Sequence, residues 1–102
     1  MKRKIEKSGA RGYKVVLPSA FMEKAGVAFG DKFDSIMGDI LRYTPSGKLD
    51  FPSATYELTK VPYGSGVYLS IPKQWVDHHK MYSGCEVDIE SKFGDIFIRS
   101  LK

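Results

Sequence analysis

The chain has 102 residues, which admits one compact domain or two very small halves sharing a core and excludes a multidomain protein. Its composition, 42% hydrophobic and 27% charged, is that of a globular chain and excludes a disordered or fibrous one. The net charge of +4 lies entirely at the front, where Lys2, Arg3, Lys4, Lys7, Arg11 and Lys14 meet only Glu6 while residues 15–102 sum to −1.

A basic strip this local fits either a phosphate backbone or a solubilising edge strand at the N-terminus. No apolar run approaches the roughly 20 residues that span a bilayer, and the basic start is not followed by the apolar stretch of a signal peptide. Cys85 is the lone cysteine, so no intramolecular disulfide supports the fold. The expectation is a soluble, intracellular, cytoplasmic protein with no membrane partner, held together by packing.

Taken in chain order, Lys2 to Lys7 reads as a leader strand, residues 8–12 as a turn and Tyr13 to Leu17 as a β-rich run. Pro18 stops that run and opens about two turns of helix over Ser19 to Ala25, with Gly26 placed to cap the end in a left-handed conformation. Val27 to Gly30 connects to a strand over Lys32 to Met37. Gly38-Asp39 reads as a two-residue hairpin turn, and Ile40 to Tyr43 as the returning strand. A loop-like linker, 45–54, carries Pro45, Gly47 and Pro52.

The same order then recurs. Tyr56 to Val61 is a leader, Gly64-Ser65-Gly66 a turn, Val67 to Ile71 a strand, and Pro72 opens a helix over Lys73 to Lys80 with Trp75 and Val76 inward. Glu86 to Glu90 is a strand in which Val87 and Ile89 alternate with acids. Lys92-Phe93-Gly94-Asp95 is a hairpin, and Ile96-Phe97-Ile98 closes the chain's last strand. A shift of 54 residues places Gly12 on Gly66, Pro18 on Pro72, Gly30 on Gly84 and Asp34 on Asp88, with apolar residues meeting apolar ones between them. Two extra residues in the second copy then place Gly38-Asp39-Ile40 on Gly94-Asp95-Ile96. The expected architecture is one mainly β domain with short helices (α+β), residues 1–102. It is made of strand-strand-helix-strand-strand repeats 1–44 and 55–102 packed on a shared core of Leu17, Phe21, Val27, Phe33, Ile40, Leu69, Ile71, Trp75, Met81, Val87 and Ile96. A repeat of roughly 40 residues is too small to be stable alone, so the two halves must pack together.

Each copy has a strand ending in an apolar residue and Pro, a short helix with an inward aromatic, and a glycine opening the next strand. These are Val15-Val16-Leu17-Pro18, Phe21 and Gly30-Asp31-Lys32-Phe33, then Leu69-Ser70-Ile71-Pro72, Trp75 and Gly84-Cys85-Glu86-Val87. In this the chain resembles the AbrB/MazE/SpoVT-like swapped-hairpin proteins over most of both halves. By length, more than by any residue, it also resembles small proteins of filamentous archaeal viruses. The swapped-hairpin resemblance implies two copies interlocking their hairpins around one core, here as a pseudo-dimeric monomer or, through the same contacts, a homodimer. It also implies DNA binding through basic residues of the leader strands and following loops, which by position are Arg3, Lys4, Lys7, Arg11 and Lys14.

The second copy departs from that pattern, because residues 55–72 carry Lys60 and Glu57 and are otherwise rich in tyrosine. A two-sided phosphate grip would lose half its charge there. The rival partner is a protein or an extended peptide, bound in the groove between the repeats by Tyr56, Tyr63 and Tyr68, since tyrosine offers a large rigid contact surface with a polar tip. The same tyrosines also suit the edges of a small core. The chain ends at Lys102, just after the last expected strand, which disfavours an antitoxin with a disordered toxin-binding tail.

No enzyme is expected, and neither a catalytic residue, a metal nor a cofactor. His78 and His79 are adjacent on a helix and point about 100° apart, unlike convergent i, i+4 ligands. Cys85 has no cationic or histidine partner at motif spacing and reads as structural. Asp88 and Glu90 read as the solvent side of a half-buried strand. The glycines at 9, 12, 64 and 66 open no helix with the Lys and Ser or Thr of a phosphate-binding loop, and read as turns.

Overall fold

The computed structural model describes residues 1–9, 12–52 and 54–102. In chain order the elements are β1 (Lys2–Lys4), β2 (Glu6–Ser8), β3 (Gly12–Leu17), α1 (Ser19–Ala25), β4 (Lys32–Ile36), β5 (Ile40–Pro45), β6 (Ala54–Glu57), β7 (Thr59–Lys60), β8 (Val67–Pro72), α2 (Lys73–His78), β9 (Glu86–Lys92) and β10 (Asp95–Ser100). The protein is mainly β. A six-stranded sheet has the order β1-β9-β10-β5-β4-β6 and a four-stranded sheet the order β2-β3-β8-β7, all neighbours antiparallel. Both orders read the same from either end when β1–β5 are exchanged for β6–β10. The β4–β5 hairpin carries β6 on its outer edge, and the β9–β10 hairpin carries β1.

Both helices begin after a proline in extended conformation, Pro18 and Pro72. Proline's fixed φ and missing N–H suit that boundary, where no intrahelical partner is lost. Gly26 ends α1 at φ 72, in the left-handed region that costs a side-chain-bearing residue more. The second helix ends at His78, two residues before the expected Lys80, which itself lies at φ 55.

The leader strands differ from expectation. Each is broken once, at Ile5 and at Leu58, and the chain passes there from the six-stranded to the four-stranded sheet. Both breaking residues are buried. The Ile5 amide donates to the Cys85 carbonyl at 2.9 Å and its carbonyl accepts from Gly84 N at 2.8 Å; Leu58 makes the same pair with Asp31 (2.8 Å) and Gly30 (2.9 Å). The glycine-plus-one motif that opens β4 and β9 therefore clamps the kink in the other half's leader, satisfying backbone groups that no ladder reaches.

One core fills the space between the sheets, with Val15, Leu17, Leu69 and Ile71 from the four-stranded sheet against Leu41, Tyr43, Ile89, Ile96 and Ile98 from the six-stranded one. The Tyr43 hydroxyl crosses it to donate to the Ser70 carbonyl at 2.6 Å. Burial raises the Tyr43 pKa well above its ordinary value, so this donor keeps its proton. Asp34 is also buried, and the Thr55 hydroxyl at 2.6 Å, with the Gly47 amide at 3.1 Å, holds its carboxyl below the usual carboxylate range against the opposing effect of burial.

Ile40 is not in the core: it is 41% exposed, and Leu41 beside it is fully buried. The two hairpin turns differ in length. Phe93 and Gly94, at φ 54 and 83, form a two-residue turn of the kind that matches strand twist, whereas Met37, Gly38 and Asp39 separate β4 from β5. The register pairs Ile96 with Tyr43 and Ile98 with Leu41, so the second copy gains one residue here rather than two. An error of one residue along a strand turns every side chain to the opposite face.

Where β3 meets β8, Gly66 passes so close to the Leu17 carbonyl oxygen that an added Cβ would lie 2.8 Å from it. Gly66→Ala is expected to cost about 1–3 kcal/mol by forcing these strands apart, read as a lower urea midpoint with unchanged m. A variant as stable as the parent would contradict the close approach.

Candidate nucleic-acid interface

The basic residues at the front of the chain do not form one surface. Residues directly opposite in an antiparallel pair share a face, and this places Lys2 and Lys4 on the outer face of the six-stranded sheet, across from Asp88 and Glu86. Arg99 also lies opposite Asp88, Lys92 opposite Asp95 and Lys32 opposite Glu57. Arg42 donates to Asp95 Oδ2 from Nε at 2.9 Å and Nη2 at 2.7 Å. Each cation of that face thus has a carboxylate across from it or bonded to it. Arg3 sits on the core-facing row at the sheet edge, opposite Val87 and half-buried. A shallow hollow of about 330 Å³ gathers Lys2, Arg3 and Lys4 but shares its walls with Glu6 and Glu86. That mixture does not make an anion site.

The four-stranded sheet with its edges differs in charge. Its strands hold Lys7, Lys14 and Lys60 and, as the one carboxylate among them, Glu6; Lys14 is on the outer face with Glu6 opposite it, whereas Lys7 lies opposite Tyr13 and Lys60 opposite buried Val67, on the core-facing rows of the two edges. Lys7 and Lys60 are exposed on opposite edge strands, β2 and β7. Three strand spacings separate these edges, about 14 Å. Lys14 stands between them with its Nζ 4.1 Å from the centroid of the Tyr68 ring, a cation–π contact. Arg11, the remaining member of the expected strip, lies outside the described residues.

Lys60 is the cation that sequence reasoning passed over. The leaders align at an offset of 53, one less than the strands after them: Ile5 and Leu58 break at equivalent points and Lys7 and Lys60 follow them. That shift is visible once the two buried breakpoints are known.

The three tyrosines also separate. Tyr56 is half-buried against the core and meets Tyr43 edge-on with ring centroids 6.0 Å apart, and burial raises its pKa. It belongs to the packing, not to a groove, because its place opposite Phe33 puts it on the core-facing row. Tyr63 and Tyr68, in contrast, line an open groove of about 500 Å³ with Val16, Pro18, Val61 and Pro62. Val16 and Pro18 come from the first half and the others from the second, so the groove follows the β3–β8 seam. Tyr63 is 93% exposed.

The other chemistry-bearing residues make local contacts. Cys85 Sγ accepts from the Tyr82 amide at 3.4 Å, and at the equivalent point of the first half Asp31 Oδ2 accepts from the Ala28 amide at 2.8 Å. The thiol stands where the first copy uses a carboxylate to hold the turn. The His79 ring lies 4.7 Å from the Trp75 ring and 5.2 Å from that of His78, at angles of 57° and 86°. Among the described residues no three His, Cys, Asp or Glu side chains gather as metal ligands, and no helix is long and apolar enough to cross a membrane. The chain matches no protein-family model, no curated protein and no solved structure.

Proposed function

We propose that this chain is a non-enzymatic nucleic-acid-binding module of the swapped-hairpin type, with DNA lying along the four-stranded sheet and its two edges. The observation that carries this reading is a difference in charge between the sheets: the outer face of the six-stranded sheet has its cations matched by carboxylates, while the strands of the four-stranded sheet hold Lys14 on the outer face and Lys7 and Lys60 exposed at the two edges, against Glu6 alone. The palindromic strand orders support the architecture, since each half's hairpin takes its edge strand from the other half within one chain. Lysines on both edge strands supply a two-sided grip on phosphates, which position a ligand without reading its sequence. Strand addition by a peptide is disfavoured, because the free edges are strands of two to four residues.

The test compares two triple variants of equal charge loss in fluorescence anisotropy with a random-sequence DNA duplex across a salt series. Lys7→Gln/Lys14→Gln/Lys60→Gln is expected to flatten the log–log salt slope by about 2–3 units, at roughly 0.9 per lost phosphate contact. Lys2→Gln/Lys4→Gln/Arg99→Gln is expected to leave the slope near the parent's. Equal losses in the two would reduce the effect to net charge and defeat this placement.

A further inference from the structure

The two sheets end in four edge strands, and three of these carry a cation on the core-facing row: Arg3 on β1, Lys7 on β2 and Lys60 on β7. An inward charge on an edge strand guards against pairing with another chain. β6 lacks that guard. At the position where β1 has Arg3, β6 has Tyr56, and its one charged residue is Glu57. With four residues it is the longest of the four edges, and Thr55 and Glu57 are exposed on it. The backbone groups facing outward can be placed on two of these edges. Leu58 donates to Asp31 and accepts from Gly30, both on the β4 side, so by alternation Thr55 and Glu57 turn their N–H and C=O groups to the free side of β6. On β1 the Ile5 bonds to Cys85 and Gly84, and the Ile89 amide donating to the Met1 carbonyl at 2.8 Å, all lie on the β9 side; Lys2 and Lys4 therefore face outward.

From this we infer that copies of this chain join head to tail, β1 of one copy adding antiparallel to β6 of the next and extending the six-stranded sheet. Lys2 then lies opposite Glu57 of the next copy, Arg3 opposite its Tyr56 and Lys4 opposite its Thr55. The first and last of these pairs each exchange two backbone hydrogen bonds. Charge selects this partner. Across the join the outer face reads Arg99, Asp88 and Lys2, then Glu57 and Lys32 of the next copy, alternating in sign at every strand. On the core-facing row the Arg3 guanidinium meets the Tyr56 ring. Two β1 strands would instead set lysine against lysine, and two β6 strands would bring no opposite charges together. A free peptide must be ordered to use so short an edge, whereas the strand of a folded copy is already ordered. Three residue pairs bury far less than the roughly 1,200–2,000 Å² of a stable complex, so the association is weak and depends on concentration. Each copy advances the sheet by six strand spacings, about 29 Å, and twists it, so the series is an open screw and not a closed ring.

The experiment is sedimentation velocity of the parent from about 10 μM to about 1 mM, where the weight-average mass should rise past that of a dimer. Lys4→Pro and Glu57→Pro each remove an amide on the free side of its edge and leave the ladder to β9 or β4 intact. Each variant alone should stay monomeric. Their equimolar mixture should form a dimer and stop there, because each chain keeps one competent edge. Melting temperatures near the parent's show that the fold is kept. A second measurement avoids proline: Lys2→Cys and Glu57→Cys, each with Cys85→Ser, place the opposed Cα atoms about 5.5 Å apart, within reach of a disulfide. Mild oxidation of their mixture should give the mixed dimer in excess over either homodimer. A parent that stays monomeric throughout, proline variants that do not associate when mixed, or cysteine variants that give no excess of mixed dimer would overturn the inference. Lys4→Pro dimerising alone while Glu57→Pro does not would overturn it as well, in favour of two β6 strands pairing with each other.

Discussion

Trp75→Ala is expected to cost about 3–5 kcal/mol, a large share of the roughly 5–15 kcal/mol that holds a domain of this size together. The indole is 2% exposed on α2, in the second half of the chain. Its Nε1–H donates at 3.0 Å to the carbonyl of Gly38, in the turn between β4 and β5 of the first half. Truncation removes the largest apolar surface of that helix and leaves the Gly38 carbonyl without its partner. The short helix, with few hydrogen bonds of its own, depends on this packing for its stability. Trp75→Phe separates the two contributions: it keeps most of the apolar volume and drops the hydrogen bond, for an expected loss of about 1–2 kcal/mol. Urea denaturation with matched m-values measures both. A near-neutral Trp75→Ala would remove this residue from the junction between the halves.

Leu41→Ala should destabilise by about 2–5 kcal/mol, while Ile40→Ala one position away should cost about 1 kcal/mol or less. Leu41 has no exposed surface and lies opposite Ile98 at the centre of the six-stranded sheet, where the two hairpins meet. Removal of its side chain opens a cavity that the surrounding strands cannot close without breaking register. Ile40 lies opposite Arg99 on the outer face, and water or neighbouring side chains fill the space that its truncation leaves. The ratio between the two losses is the informative quantity, since it reports which face of β5 is inward. A reversed order would mean that β5 pairs with β10 one residue out of step.

The parts of the fold legible in the chain are those decided by nearest neighbours. Pro18 and Gly26 bracket α1 because proline and a left-handed glycine act on their own backbone, whatever surrounds them. Phe93-Gly94 marks a tight hairpin for the same reason, and the alternation of Val87 and Ile89 with acids marks one buried face of β9. The tyrosines and lysines of the candidate site were visible only as residue types. Their surroundings depend on pairing partners far away in sequence: Lys2 and Lys4 lose their value to a phosphate because Asp88 and Glu86 lie across from them, and Tyr56 is drawn inward because it falls opposite Phe33.

Residue order by itself therefore determined a mainly β chain, its two prolines opening helices, the Phe93-Gly94 turn, ten of the eleven side chains expected in the core, and the basic bias of its first residues. Tertiary structure alone decided where the leaders kink, at Ile5 and Leu58, which side of β5 is inward, and which lysines stand free of carboxylates. The division has one physical cause. Backbone preference and hydrophobic period act over a few residues, whereas strand register and charge neutralisation act across a sheet between residues more than 80 positions apart, as in the pairing of β1 with β9.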